Sequence, residues 1–281
     1  MPAEAALGRP IKGPSAFSGD ARRFVALTIY LAAMEYKLRF FGSALGYFWQ
    51  LVRPLLLFGV LYVVFTEFVR LNEGVPYFPA VLLTGIVMFT FFSDATSNAV
   101  TSVVDRENLV RKIEFPRFAV PLAAVVTALF NLLGNLLAVL VFILASGVDP
   151  QPRWLLALPL IAGLVLLATG AAALLSALYP HFRDVRPIWE VLSQVLFYGS
   201  PILYAIEVVP DRAFQQLIML NPIASVLQEL RHNVIDPSAP SAADAIGDPW
   251  LLLVPVGITV GAFIAGIWVF ARMAPRIAEE L

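Results

Sequence analysis

The chain has 281 residues, of which 59% are hydrophobic and 14% charged, and its formal net charge is −1. Soluble domains average roughly 45–50% apolar and about 25% charged residues, so this composition excludes an ordinary soluble protein. The absence of cysteine excludes a disulfide framework and thiol chemistry. The apolar residues fall into about six blocks, each near the roughly 20 residues that cross a bilayer. We therefore expect an all-α integral membrane protein.

A surface helix is expected before the first apolar block. After a tail at residues 1–19, residues 20–47 combine apolar positions with charges that recur too often for a membrane span. The apolar run after Arg23 is similar to a signal-peptide core, but the segment from Met34 to Arg39 is a poor cleavage region. The pattern favours an N-terminal amphipathic helix lying along the cytoplasmic membrane surface.

Six transmembrane helices are predicted from the apolar blocks, at about 51–69, 79–102, 118–146, 154–178, 187–206 and 250–271. Each span must satisfy its own backbone hydrogen bonds in lipid, and no alternating pattern indicates a barrel, so the spans are predicted as helices. Together they form a transmembrane domain at 48–272, followed by a tail at 273–281.

The basic residues predict the orientation of the spans. Most Lys and Arg residues lie in the N-terminal segment, the second and fourth gaps and the C-terminus, whereas the opposite gaps carry only Arg70, Arg153, Arg212 and Arg231. The positive-inside rule places the basic side, with both termini, in the cytoplasm. We expect a multi-pass protein of the inner membrane, with membrane lipid and no nucleic acid as a partner.

The cytoplasmic gap at about 105–117 has helical patterning. Leu109 and Ile113 are spaced i, i+4 on one face, charged residues cover most of the rest, and Pro116 limits the helix. The segment is either a solvated connector or a short helix that docks on a cytoplasmic partner.

A second unusual segment lies on the outer side, at about 209–234. Two amphipathic pieces that are too short to span are separated by Asn221-Pro222. They are either a hairpin that dips back into the membrane, buried in protein or facing a water-filled cavity, or two interfacial helices.

No catalytic or metal-binding constellation can be assembled from the sequence. His181 and His232 are predicted on opposite sides of the membrane, and no phosphate-binding loop occurs. Asp94 is the only carboxylate predicted deep in the bundle, where an interhelical hydrogen bond is favoured over a transport role. Any uphill transport must therefore draw its energy from another subunit.

Two sets of residues are typical of helix packing in membranes. Gly257 and Gly261 form a small-xxx-small motif in the last span, and Asn131 and Asn135 lie i, i+4 on the third span. Such residues bring helices close and form hydrogen bonds between them.

The sequence resembles the ABC-2 type polysaccharide export permeases, the membrane subunits of exporters for O-antigen, capsule, teichoic acid and galactan chains. Four segments carry the resemblance: Tyr36–Leu55, Glu107–Arg117 with Pro121-Leu122, Leu196–Tyr204, and Leu220-Asn221-Pro222. The resemblance implies a homodimer of six-span subunits with two ATP-binding-cassette ATPase subunits, which bind ATP and Mg, so this chain itself binds no cofactor. It also implies export of a polyprenyl-diphosphate-linked polysaccharide. By the same resemblance, residues 105–117 form the coupling helix, with Glu107, Leu109, Val110, Arg111, Ile113, Phe115 and Arg117 at the ATPase contact.

Aromatic residues are the candidates for the glycan path, because flat C–H faces of sugars pack on aromatic rings. The candidates are Phe89, Phe92, Phe197, Tyr198 and Tyr204. Alternatively these rings face lipid or belong to an interfacial belt. Lys37, Arg39 and Arg53 are candidates for a lipid-diphosphate entrance, although anionic lipid headgroups would attract them equally well.

Two other functions remain open. The first is an ABC-2 permease for a small drug or lipid, which predicts a path lined by aliphatic rather than aromatic residues. The second is an ATP-independent transporter or scaffold, which predicts purification without an ATPase and no effect of changes at Leu109 and Ile113.

Overall fold

The computed structural model describes residues 21–40, 46, 48–70, 74–108 and 116–280. Regular structure in these residues is helical throughout. The α-helices are α1 (Ala21–Phe40), α2 (Phe48–Val63), α3 (Phe78–Asp105), α4 (Ala119–Ala145), α5 (Ala157–Leu178), α6 (Val185–Tyr198), α7 (Arg212–Met219), α8 (Pro222–Leu230), α9 (Ala242–Ile246) and α10 (Leu253–Glu280). Short 3-10 or π turns extend four of them, at Val64–Phe68, Pro152–Leu156, Arg231–Ile235 and Pro249–Leu252, and a separate 3-10 turn lies at Ile206–Val208.

Five helices among the described residues are long and apolar enough to cross a membrane: Phe48–Phe68, Phe78–Asp105, Ala119–Ala145, Pro152–Leu178 and Pro249–Ala274. They correspond to the first four predicted spans and the last one. The all-α multi-pass membrane architecture predicted from the sequence is therefore confirmed.

The predicted fifth span at 187–206 is not confirmed as a continuous helix. Helix α6 has 14 residues and is therefore roughly 21 Å long, against about 30 Å of hydrocarbon. The helix ends at Tyr198 with Gly199 as its C-cap, and Pro201 disfavours helical geometry for Ser200. Ser200 and Ile202 are buried, so the non-helical backbone is shielded by protein. The count of apolar residues could not detect this break, and six spans remain a proposal.

Helix α3 is the centre of the bundle. It packs against α4 and α5, and most of its side chains are buried, whereas α2 and α10 are largely exposed. A helix that is apolar on all sides is typical of such a central position. Helix α6 packs chiefly on α3 and buries only Ser193, so most of its surface lacks a partner within the described residues.

Helix α1 packs along α4 through small side chains. Leu31 and Ala32 form a buried cluster with Ala119 and Ala123, and the carboxylate of Glu35 accepts a hydrogen bond of 3.1 Å from Thr127. The helix predicted at 20–47 therefore exists from residue 21 to residue 40 and is attached to the bundle. Its position at a membrane surface stays a prediction.

The closest helix crossing joins α5 and α10 at Gly170. A methyl group at Gly170 would lie 2.5 Å from Cα of Phe263 and 2.6 Å from the carbonyl oxygen of Ala262. The sequence-based assignment of close packing to Gly257 and Gly261 is not supported within this chain, because no atom lies within 4 Å of a methyl group at either position. These two glycines lie on the exposed side of α10.

The outer hairpin is partly inserted in the bundle. Asn221 caps α8 by accepting a hydrogen bond from Ile223 N at 3.0 Å, and its side-chain amide donates to Ser200 Oγ at 3.0 Å. Ile223 and Leu227 belong to the main core. Of the two alternatives, the burial of α8 favours the hairpin that dips inward, whereas α7 remains near the surface with Phe214 exposed.

Candidate functional site

A cavity lies among the end of α1, the start of α2, and the middle of α3 and α4. Its volume is about 420 Å³. Its lining combines charged, amide, hydroxyl, aromatic and aliphatic side chains. They are Arg39, Trp49, Gln50, Arg53, Pro54, Val87, Thr90, Phe91, Asp94, Ala128, Asn131, Leu132 and Asn135. We call it the Asp94 cavity. Asp94 lies eleven residues before Asp105 at the end of α3, roughly 16 Å along the helix, so the cavity reaches into the membrane-spanning part of the bundle.

Three charged side chains face this cavity. Arg39 comes from the last turn of α1 and Arg53 from the first turns of α2, just before Pro54, while Asp94 belongs to α3. The salt bridges among the described residues join other side chains and include none of these three. Within the part of the chain that the structure describes, no salt bridge therefore commits these two guanidinium groups or this carboxylate to another side chain.

Two buried amide atoms of residues that line the same cavity lack a hydrogen-bond partner within the described residues. They are Nε2 of Gln50 and Oδ1 of Asn131. The other end of the Gln50 amide is occupied, because Oε1 accepts from the hydroxyl of Tyr36 at 3.1 Å. Asn135 donates to the backbone carbonyl of Asn131 at 3.0 Å, so this side chain bonds within its own helix rather than to a neighbouring helix as predicted. Buried polar groups normally have partners, so a polar ligand or water is expected here.

A second cavity of about 330 Å³ continues towards the predicted cytoplasmic ends of α1 and α3, and Arg39 lines both cavities. Its charged groups are mostly paired. Glu35 forms an ion pair with Arg106, and Arg186 pairs with Glu190 at 3.2 Å. The first pair connects α1 with the end of α3, whereas the second lies within α6.

Of the three predicted headgroup residues, the structure brings two together. Arg39 and Arg53 line the Asp94 cavity, whereas Lys37 is exposed and lines neither cavity. The separation has a simple cause: residues two apart on a helix point to different sides, so Lys37 and Arg39 cannot share a face of α1.

The predicted glycan-path aromatics fall into two groups. Phe89 and Phe92 are 6% and 2% exposed, and they hold α6 against α3 through ring contacts to Phe197 at 5.1 Å and to Trp189 at 6.1 Å. Because both rings are buried between α3 and α6, they support the packing of these helices and do not line a glycan path. Tyr198 is 67% exposed at the end of α6 and remains available to a ligand. Tyr204 is half-buried against the main core.

The predicted coupling residues are described only at the two ends of their segment. Leu109, Val110, Arg111, Ile113 and Phe115 lie outside the described residues. Glu107 is half-buried beyond the end of α3. Arg117 is 2% exposed and donates a hydrogen bond to the backbone carbonyl of Ala274 in α10. Its side chain therefore points into the bundle, so Arg117 anchors the segment; its role at an ATPase contact stays a prediction.

The sequence interpretation missed four lining residues, Trp49, Gln50, Asn131 and Asn135. The spacing of the two asparagines predicts helix packing, and the position of Asp94 predicts an interhelical hydrogen bond. Polar residues inside apolar spans are functional candidates by default, and this rule is the sequence signal that identifies Asn131 and Asn135 as candidates. Only the folded chain shows that α2, α3 and α4 bring them to one cavity.

Long apolar helices around a polar, positively charged cavity define a multi-pass membrane protein with an internal binding space. The chain belongs to the ABC-2 type transporter family, whose profile matches residues 26–235. This family contains the permease subunits of transporters. The resemblance noted in the sequence is thereby confirmed.

Its relatives include permeases of polysaccharide export systems. The O-antigen export system permease protein RfbA of Klebsiella pneumoniae is 30% identical over 206 residues, covering 73% of this chain and 78% of the relative. RfbA of Myxococcus xanthus is 29% identical over 262 residues, covering 92% and 96%. The polysialic acid transport protein KpsM of Escherichia coli is 21% identical over 203 residues, covering 72% and 78%. The chain is thus similar to polysaccharide export permeases over most of its length.

Proposed function

We propose that this chain is the permease subunit of an ABC exporter that moves a polyprenyl-diphosphate-linked polysaccharide across the inner membrane. A separate subunit would bind ATP and Mg and hydrolyse the nucleotide. One observation carries the proposal: Arg39 and Arg53 line the same cavity, in a chain that is similar to O-antigen export permeases.

The chemistry of the cavity supports an anionic headgroup. A guanidinium group presents several N–H donors in a planar fork and binds phosphate oxygens in pairs. Arg39 and Arg53 together supply two such groups. A lipid diphosphate drawn to them from the cytoplasmic side would place its first sugar near the amides of the cavity.

The polar cavities also support a homodimer. A charged cavity that opens directly to lipid would be costly, so its open side must face water or protein. Helix α2 contributes to the Asp94 cavity and α6 to the second cavity, and both helices leave wide apolar faces uncovered. A second copy that packs on this side would enclose a shared path with closed symmetry.

The proposed orientation puts both termini and residues 105–117 in the cytoplasm, where two ATPase subunits would dock. Arg117 ties the end of this segment to α10. A movement of the coupling helix on the ATPase would therefore be passed to the bundle at a rigid point.

Co-purification through a tag on this chain, followed by an ATPase assay, tests the proposal. We expect an ATP-binding-cassette partner in equal amount, lost when Leu109 and Ile113 are both changed to Asp. The same change at Leu217, which is exposed on α7, is the matched control and should leave the complex intact. A homo-oligomer without a nucleotide-binding partner would contradict the proposal and favour an ATP-independent transporter.

An ABC-2 permease for a small drug or lipid is the second candidate, favoured by one observation. The uncovered face of α6 is mostly aliphatic, with Ile188, Val191 and Val195 exposed and Tyr198 as the aromatic residue. Deletion of the gene separates the two functions. If the protein exports polysaccharide, the deletion should cause lipid-linked glycan to accumulate on the cytoplasmic side. If it exports a drug or lipid, the deletion should leave the surface glycan unchanged.

A further inference from the structure

We propose that the Asp94 cavity recognises the sugar that is joined directly to the diphosphate of the exported lipid. The juxtaposition that carries the proposal is a carboxylate, two incompletely bonded amides and an indole in one cavity with two guanidinium groups. The inference rests on the proposed function and adds to it a determinant of substrate specificity.

The hydrogen-bonding needs of the cavity are not met by a phosphate alone. Phosphate oxygens accept hydrogen bonds, which suits Arg39, Arg53 and the free Nε2 of Gln50. Oδ1 of Asn131, which has no partner within the described residues, and the carboxylate of Asp94 are acceptors, and a ligand that carries donors can hydrogen-bond to them. Sugar hydroxyl and acetamido groups supply such donors next to a diphosphate.

The charge of Asp94 leads to the same conclusion. In a site for a bare diphosphate, a carboxylate beside two arginines would repel the ligand and weaken binding. The same carboxylate has two oxygens that can accept hydrogen bonds from two neighbouring hydroxyls of a sugar. Its presence therefore favours a ligand in which phosphate and sugar are adjacent.

The size and the aromatic surface of the cavity agree with a single sugar. A volume of about 420 Å³ is at the lower end of the range of about 300–1,000 Å³ for small-molecule sites. Such a space accommodates a headgroup with its first sugar rather than a length of polymer. Trp49 is 47% exposed and offers a flat apolar surface beside the polar groups.

Recognition at this cavity would make selection independent of the polymer repeat. Every chain that begins with the same lipid-proximal sugar would be accepted, whatever its later residues. The outer path would then need only weak, interchangeable contacts.

The test uses the complete complex of permease and ATPase in nanodiscs of phosphatidylethanolamine and phosphatidylglycerol. Two probes are compared by native mass spectrometry: undecaprenyl diphosphate that carries one N-acetylhexosamine, and undecaprenyl diphosphate without a sugar. We expect the wild-type complex to bind the glycosylated probe about tenfold more tightly, a ratio that loss of one or two hydrogen bonds can produce. Asp94→Leu and Asn131→Leu should remove this preference and leave affinity for the bare diphosphate equal or higher.

Variants outside the sugar-binding group separate the possible outcomes. Arg39→Gln with Arg53→Gln should weaken binding of both probes alike, whereas Asp149→Leu, at an exposed position outside the helices, should change neither. Asp94→Asn keeps the shape and one acceptor, so it should retain part of the preference even if the leucine variant does not assemble. A soluble nucleoside diphosphate sugar should compete poorly, because it lacks the polyprenyl chain.

Three results would overturn the inference while leaving the exporter intact: equal wild-type affinity for the two lipids, an unchanged preference in Asp94→Asn and Asn131→Leu, or tight binding of the soluble nucleotide sugar. By contrast, failure of the wild-type complex to bind either lipid would contradict the proposed function itself.

Discussion

At the scale of single residues, a buried charge determines how the start of α4 is connected to α10. The guanidinium of Arg117 is enclosed where the predicted coupling segment enters α4, and its Nη1 donates to the carbonyl of Ala274. Ring contacts surround the same junction, since Phe118 packs edge-on against Phe270 at 5.3 Å. One side chain therefore joins the coupling segment to the last helix.

Removal of the Arg117 side chain is expected to destabilise this junction. Arg117→Ala loses a hydrogen bond and leaves a cavity among packed rings, which should lower the free energy of unfolding by about 2–4 kcal/mol. The measurement is thermal or denaturant unfolding of the purified protein in detergent. Arg153→Ala, at an exposed position, is the control and should stay within about 0.5 kcal/mol of the wild type. Equal unfolding midpoints for the two variants would contradict the anchoring role.

A second residue-scale prediction concerns pH and the capping box of α9. The Ser241 hydroxyl donates to Asp244 at 2.7 Å and the Ser241 amide donates at 3.0 Å; the first bond is the larger cause of the lowered pKa of the Asp244 carboxyl. Because the carboxyl has its ordinary pKa in the unfolded chain, the cap stabilises α9 above that ordinary value. The stabilisation is lost as the pH falls through the lowered pKa of the folded protein.

Hydrogen exchange of the amides at Ser241 and Asp244 measures this effect. We expect their protection to fall as the pH drops below the ordinary range of a carboxyl, after correction for the intrinsic exchange rate. In Asp244→Asn the protection should be lower at neutral pH and independent of acidification. A wild-type profile parallel to that of Asp244→Asn would argue against the cap.

At the scale of helices, the close packing of α5 on α10 and the interruption after α6 have separate causes in the sequence. Close approach of α5 and α10 depends on Gly170, where any side chain would meet backbone atoms. The end of α6 depends on the Gly199-Ser200-Pro201 break, which is held to the Asn221 cap of α8 through the Ser200 hydroxyl. The break and the hairpin of α7 and α8 therefore form one connected unit.

Gly170→Ala is expected to force α5 and α10 apart. The added methyl group would meet backbone atoms that cannot rotate away, and such overpacking costs about 1–3 kcal/mol. Gly163→Ala on the same helix is the matched control, because no atom lies within 4 Å of a methyl group at that position. Since alanine favours helix over glycine, this control should be neutral or slightly stabilising. A similar drop in the unfolding midpoint of both variants would show that the crossing is not the cause.

At the scale of the whole molecule, the distribution of polar cavities determines which side can face lipid. The two cavities are walled by α1, α2, α3, α4 and α6, whereas α10 takes no part in either. In the proposed homodimer, α2 and α6 therefore lie near the second copy.

Cross-linking tests this arrangement directly. The sequence contains no cysteine, so single-cysteine variants need no background substitutions. Val195→Cys on α6 is expected to give covalent homodimers in membranes treated with a short bifunctional maleimide. Val260→Cys, also exposed but on α10, is the control and should remain monomeric. Dimers formed through the α10 position and not through the α6 position would place the shared path on the other side.

Apolar length in the sequence reveals which segments can cross a membrane but not where a helix breaks. The first four predicted spans and the last one correspond to long apolar helices in the structure, because a long apolar run without alternation can be buried in lipid only as a helix. The segment at 187–206 was predicted as a span because its composition is apolar. The break at Gly199-Ser200-Pro201 was visible in the sequence, but its outcome depends on burial of Ser200 and Ile202 by neighbouring elements.

By itself, the sequence determined the membrane class, the helical architecture, the outer break at Asn221-Pro222 and the family, since these follow from composition, local patterning and short contiguous motifs. Only the tertiary structure decided which polar residues share a cavity. Arg39, Arg53, Asp94 and Asn131 come from four helices, and no local pattern relates their positions. The physical reason is that helix periodicity fixes which residues share a face of one helix, whereas packing between helices decides which faces meet.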